Sequence, residues 1–122
     1  MNILRLCSAT ALLASAFAAN AASPASSLEG CVDLAAGHEI VRAGSTQSFL
    51  LRDGHDHYRV LLRNECGSLP SASRVTILSD GTAGRLCASG ARIKTDRDTC
   101  MVRGVETIGA EEFASAKRRA RR

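Results

Sequence analysis

The chain falls into three stretches with different rhythms of apolar and polar residues. From Leu6 to Ala19 nearly every residue is apolar, with Ser8, Thr10 and Ser15 as interruptions. Between residues 39 and 108, short apolar runs alternate with polar positions and are broken by Asp, Gly and Ser. From residue 109 onward, acidic residues come first, a few apolar ones follow, and a block of bases closes the chain.

The middle stretch carries the clearest period. In residues 57–63, Tyr58, Val60 and Leu62 fall on one side of an extended chain, and His57, Arg59 and Arg63 on the other. A period of two with one apolar side is the pattern of a half-buried strand. Further strands are predicted at 39–42, 48–52, 74–78, 85–87, 91–94 and 100–108. Asp53-Gly54 marks a hairpin turn, with a loop longer than two residues, and Asp80-Gly81 with Gly84 marks a second turn. Gly104 inside the last strand predicts a bulge, where glycine is common. Several short strands at this spacing predict a mainly β fold, a small barrel or sandwich. Residues 110–120 predict a short C-terminal helix. Glu111 and Glu112 lie in its first turn and Lys117, Arg118 and Arg119 in its last, which complements the helix dipole. A helix this short is marginal alone, and Phe113 is the side chain to dock it.

The first stretch is a different kind of object. Arg5 is the only charged residue before Glu29, and the apolar run ends at Ala19-Asn20-Ala21. A positive start, a short apolar segment and an A-x-A site are the parts of a cleavable secretory signal peptide. The run is too short and too often interrupted to span a membrane. The expected organisation is therefore a signal peptide at 1–21, a flexible Ala/Ser/Pro-rich leader at 22–30, a β domain at 31–108, and a helix with a basic tail at 109–122.

Export changes how the cysteines read. Cys7 leaves with the signal peptide, and Cys31, Cys66, Cys87 and Cys100 remain. An even count in a small exported domain predicts two disulfides. Such bridges would supplement a core poor in aromatics, which holds Phe49, Tyr58 and Phe113 and no Trp. Three pairings are open. Cys31–Cys100 with Cys66–Cys87 is favoured, the first tying the domain's start to its last strand and the second closing a loop around one strand. A four-cysteine zinc site would want C-x-x-C pairs, and the chain has none.

The order of Cys31, Cys66-Gly67-Ser68-Leu69, Leu86-Cys87 with Ile93 beyond it, and Cys100-Met101-Val102 resembles a family of small exported four-cysteine bacterial proteins. That family is known only as a domain of unknown function. The resemblance covers residues 31–108 and implies a periplasmic or secreted, Gram-negative setting. It implies no activity and no catalytic residues. An acidic residue commonly follows the third cysteine in that family, and Ala88-Ser89-Gly90 stands there in this chain.

Candidate chemistry is sparse. Asp53, His55, Asp56 and His57 lie close together, and imidazole with carboxylate suits a divalent transition metal. On an extended chain His55 and His57 point the same way, and His38 is a possible third ligand. No G-x-S-x-G elbow and no C-x-x-C redox pair occurs, and no catalytic residues are assigned. Asp96 and Asp98 sit in a turn-like segment without a visible cleft.

Charge adds one more candidate. Lys and Arg number 16 against 12 Asp and Glu, for a net charge of +4. Removal of Arg5 with the signal peptide leaves +3. Lys117, Arg118, Arg119, Arg121 and Arg122 carry five of those positive charges, so the body is about −2. A basic tail binds polyanions through counterion release. The expected partner is an anionic envelope component or another envelope protein. Nucleic acid is set aside for an exported chain without aromatic stacking platforms. The residues point to a non-catalytic binding or structural module of the cell envelope with no cofactor. The alternatives are a metal-binding protein using the His55/His57 loop, and a small enzyme or enzyme inhibitor that no motif reveals.

Overall fold

The computed structural model describes residues 26–121. The expected signal peptide at 1–21 and the first part of the leader lie outside that range, as does Arg122. Among the described residues, ten strands and one α-helix follow in chain order: β1 (Ser26–Ser27), β2 (Cys31–Asp33), β3 (Glu39–Val41), β4 (Ser48–Asp53), β5 (Asp56–Leu62), β6 (Val75–Ser79), β7 (Thr82–Ala83), β8 (Arg85–Cys87), β9 (Ala91–Thr95), β10 (Thr99–Thr107) and α1 (Ala110–Ala120). A single 3-10 turn, Leu69–Ser71, lies between β5 and β6. The protein is mainly β, as the alternation predicts.

The strands form one curled antiparallel sheet, a half-barrel of order β3-β4-β5-β10-β9-β6-β7, with β1 added beside the end of β10. A separate ribbon, β2-β8, closes over it. The concave face holds the core. Phe49, Leu51, Tyr58, Val60, Leu62, Ile77, Ile93, Val102 and Val105 converge there, with Leu69 from the 3-10 turn and Leu86 from the ribbon. Within β4, β5, β6 and β9 these are the residues that period-two alternation sends inward, whereas in β10 Val102 and Val105 lie three apart because the bulge at Arg103 shifts the phase; in β9 the pattern is complete, with Ala91, Ile93 and Thr95 buried and Arg92 and Lys94 exposed.

Turns and irregularities follow local chemistry. Asp53 pairs with Asp56, so the β4–β5 turn is only Gly54-His55, shorter than the sequence indicates. Gly54 has φ 60° at the first turn position, which a type II′ turn reserves for glycine. Asp80 and Gly81 both have positive φ, 50° and 74°, as the tight Asp-Gly turn joining Ser79 to Thr82 requires. The bulge expected near Gly104 is present. Val102 faces Leu62 and Gly104 faces Leu61, which leaves Arg103 as the extra residue.

Buried polar groups are paired. Ser68 Oγ and Thr95 Oγ1 lie 2.8 Å apart, and Ser79 Oγ both donates to Arg85 O and accepts from Cys87 N. Among the described residues no buried side-chain nitrogen or oxygen lacks a partner.

Two expectations are corrected. The disulfides are Cys31–Cys87 and Cys66–Cys100, not Cys31–Cys100 and Cys66–Cys87. β2 pairs with β8, placing Cys31 directly opposite Cys87. β10 lies beside β5, which brings Cys100 to the loop that follows β5. The stretch read as a flexible leader is also partly ordered in the fold. Ser26 and Ser27 pair with Thr107 and Glu106, and Leu28 N donates to Val105 O at 2.8 Å.

The pairing predicts a specific tryptic map of the unreduced protein. The four cysteines fall on four different tryptic peptides. Residues 64–74 should run linked to 98–103, and the peptide ending at Arg42 linked to 86–92. A mass-spectrometric map showing 64–74 joined to 86–92 would contradict this connectivity.

Candidate anion-binding surface

The convex face of the sheet carries the groups most able to meet a partner, and α1 divides it. The helix lies over β3, β4 and β5. Phe113 and Ala116 pack on Val41 and Leu50, with Ile108 beside them. Leu50 and Val41 are the outward apolar residues of their strands, facing away from Phe49, Leu51 and Ile40.

Charge pairs frame the helix. Arg59 bridges Glu106 on β10, at 3.3 Å, and Glu112 on α1. Lys117 Nζ lies 2.6 Å from Glu39 Oε1, and Arg52 reaches Glu39 Oε2 at 3.0 Å. The hydrogen bond from Lys117 is the main cause that holds the Glu39 carboxyl below the ordinary glutamate range; burial opposes it, and the Lys117 charge and then Arg52 add smaller downward effects. A lowered folded-state pKa stabilises the fold above the unfolded value and is lost as pH falls through the folded one. Helix docking should therefore loosen as pH falls below about 4.3, the ordinary glutamate value. Hydrogen exchange of the α1 amides would show it, and Glu39→Gln should flatten that dependence.

The five tail cations thus have different fates. Lys117 is engaged with Glu39. Arg118, Arg119 and Arg121 are exposed at the helix end, Arg118 donating to Ser115 Oγ at 3.2 Å. Arg122 lies outside the described residues.

The histidine-rich hairpin is spread out. His55 occupies the exposed turn, whereas His57 lies on β5 with its ring centroid 5.2 Å from that of Phe113. Asp53 Oδ1 accepts from Ala35 N at 3.1 Å, and His38 Nδ1 lies 2.7 Å from Ala35 O. Among the described residues no three His, Cys, Asp or Glu side chains converge as a metal site would need. The two histidines differ because one is in the turn and the other in the strand, which the shortened loop decides.

A second basic region emerges only in the folded chain. Beyond the helix, the convex face of β6, β9 and β10 presents Arg92 between Leu78 and Met101, and Lys94 between Thr76 and Thr99. Arg74 precedes β6 on the same side. Arg63, whose amide donates to Met101 O at 2.9 Å, and the bulge residue Arg103 flank β10. Arg97 lies in the adjoining exposed turn. None of these six cations takes part in an ion pair among the described residues; the pairs present use Arg52, Arg59, Arg85 and Lys117. An open groove of about 560 Å³ runs along this face, lined by Ser73, Arg74, Thr76, Lys94, Thr95 and Asp96. The alternation of Arg92 and Lys94 was a visible signal. Their grouping with Arg63, Arg74 and Arg103 was not, because it depends on which strands are neighbours.

Comparison of the chain with protein-family models, curated proteins and solved structures returns no match. The likeness of the cysteine frame to an exported family gains no support from these comparisons. Among the described residues no helix is long and apolar enough to cross a membrane.

Proposed function

We propose that the protein is an exported, disulfide-stabilised module of the bacterial cell envelope that binds anionic partners and performs no catalysis. One observation carries the binding reading. Six cations stand on or beside the convex face without carboxylate partners among the described residues, on a body whose overall charge is about −2. Arginines not used to hold a fold together are available for counterion release on a polyanion. The N-terminal stretch and the two disulfides support export, since such bridges persist in oxidising compartments.

Retention on a dextran sulfate matrix tests the binding. The protein should bind at low salt and elute as salt rises, with affinity falling at least about tenfold between ~50 and ~200 mM. Arg92→Gln with Lys94→Gln should elute earlier while keeping the parent's melting temperature, because both side chains are exposed. Passage through the column without retention at low salt would reject the reading.

A further inference from the structure

The helix end and the sheet face are separated by little more than one short turn of chain. After β3, Arg42 donates from Nη1 to Leu69 O at 3.0 Å and also to Ala72 O. These bonds fasten the 3-10 turn to the end of β3, an edge strand of the curled sheet, and the chain runs from that turn into β6, which only the two-residue β7 flanks at the sheet's other end. On one side of that turn, Arg42, Pro70, Lys117 and Arg121 line a shallow cleft of about 290 Å³. On its other side the larger groove begins, at Ser73 and Arg74. Only Ser71 and Ala72 separate Pro70 from Ser73.

We infer that these two clefts form one track, and that its occupant is a linear anionic polysaccharide. The inference rests on the anion-binding reading above and names the partner class for the same surface. Its path runs from Arg118 and Arg121 past Arg42 and Pro70, over the 3-10 turn, to Arg74, Lys94 and Arg92.

Three observations select the occupant. First, a curled sheet turns the helix-covered part and the β6–β9 part of its convex face in different directions. A flexible chain follows that curve, whereas a planar membrane meets one part at a time. Second, the larger groove mixes cations with the hydroxyls of Ser73 and Thr76, which suits a chain bearing both anionic and hydroxyl groups. Third, Phe49, Tyr58 and Phe113 are all buried, at 2%, 5% and 4% exposure. Among the described residues the surface therefore offers no aromatic platform on which bases stack.

Carboxylates beside the track leave its charge positive. Glu39 lines the smaller cleft and is matched by Lys117 and Arg52. Asp96 lines the larger groove and accepts from Ser73 Oγ at 3.4 Å, opposite Arg74 and Lys94.

Fluorescence anisotropy with labelled dextran sulfate and a labelled heparin tetrasaccharide tests the track on the full mature chain. The long polymer should bind far more tightly than the tetrasaccharide. Arg92→Gln/Lys94→Gln and Arg118→Gln/Arg121→Gln should each weaken the long polymer by about five- to tenfold, and their combination by about the product. All four side chains are exposed, and circular dichroism confirms the fold of each variant. Affinity independent of length, or loss confined to one of the two pairs, would overturn the track while leaving anion binding intact. Tighter binding to vesicles of phosphatidylglycerol and phosphatidylethanolamine than to dextran sulfate would replace the polysaccharide with a membrane. No binding to any of these probes would remove the underlying reading with it.

Discussion

Replacing Cys66 and Cys100 together by alanine is expected to cost about 4 kcal/mol of stability. The bridge spans a sequence separation of 34 residues, and closing a loop of that size in the unfolded chain accounts for a loss of about that magnitude. The other bridge, Cys31–Cys87, spans 56. Because the entropic effect grows only with the logarithm of length, it predicts nearly the same cost for both. The folded state breaks the tie. Cys66 is 1% exposed within the main core, its amide donates to Thr46 O at 2.7 Å, and its carbonyl accepts from Leu69 N at 2.9 Å. Cys31 lies on the exposed side of a three-residue strand. Loss of Cys66–Cys100 therefore also loosens the seat of Leu69, and its melting temperature should fall by about 15–25 °C. The Cys31/Cys87 variant should fall by less. Thermal and urea denaturation of both double variants would rank them. The reverse ranking would mean that the β2–β8 ribbon, through Leu86, contributes more to the core than the 3-10 turn does. A loss of this size is a large share of the few to fifteen kcal/mol typical of a domain.

That ranking depends on a pairing the sequence did not reveal, and the reason is physical. Alternation states which face a side chain takes and is silent about which strand lies beside it. Tyr58, Val60 and Leu62 were legible as inward residues. The pairing of β10 with β5 on one side and β9 on the other is a tertiary fact, and it decides where Cys100 goes. β2 is only Cys31-Val32-Asp33, too short to register as a strand, so its pairing with β8 left no trace. Ser26 and Ser27 carry no apolar signal, and their order comes from hydrogen bonds to β10. The site was legible to a similar degree. The tail stood out as a run of bases, whereas the sheet cations are single residues scattered from 63 to 103 that only the strand order gathers. Lys117 shows the opposite error, a base counted as available that the fold commits to Glu39.

Phe113→Ala should undock the C-terminal helix without unfolding the sheet. Phe113 is 4% exposed against Val41, Leu50, Ala116 and Ile108, and a buried phenylalanine cut to alanine costs about 3–5 kcal/mol. The cost falls on docking, because this cluster is separate from the main core on the other face of the sheet. Arg59–Glu112 and Lys117–Glu39 are partly exposed pairs and hold the helix only weakly by themselves. An eleven-residue helix released into water does not persist, so far-UV ellipticity should lose its helical component. Amide protection should vanish along α1 and survive in β5 and β10. If protection in β3 and β4 disappears in step, the helix is part of the sheet's stability and the Val41–Leu50 face cannot stand uncovered. The same variant separates charge from placement. It keeps every cation of the tail yet frees them from the cleft beside Pro70. Binding of the tetrasaccharide to the sheet face should then be unchanged, while the long polymer loses the contribution that a positioned helix end makes and a tethered, mobile one does not.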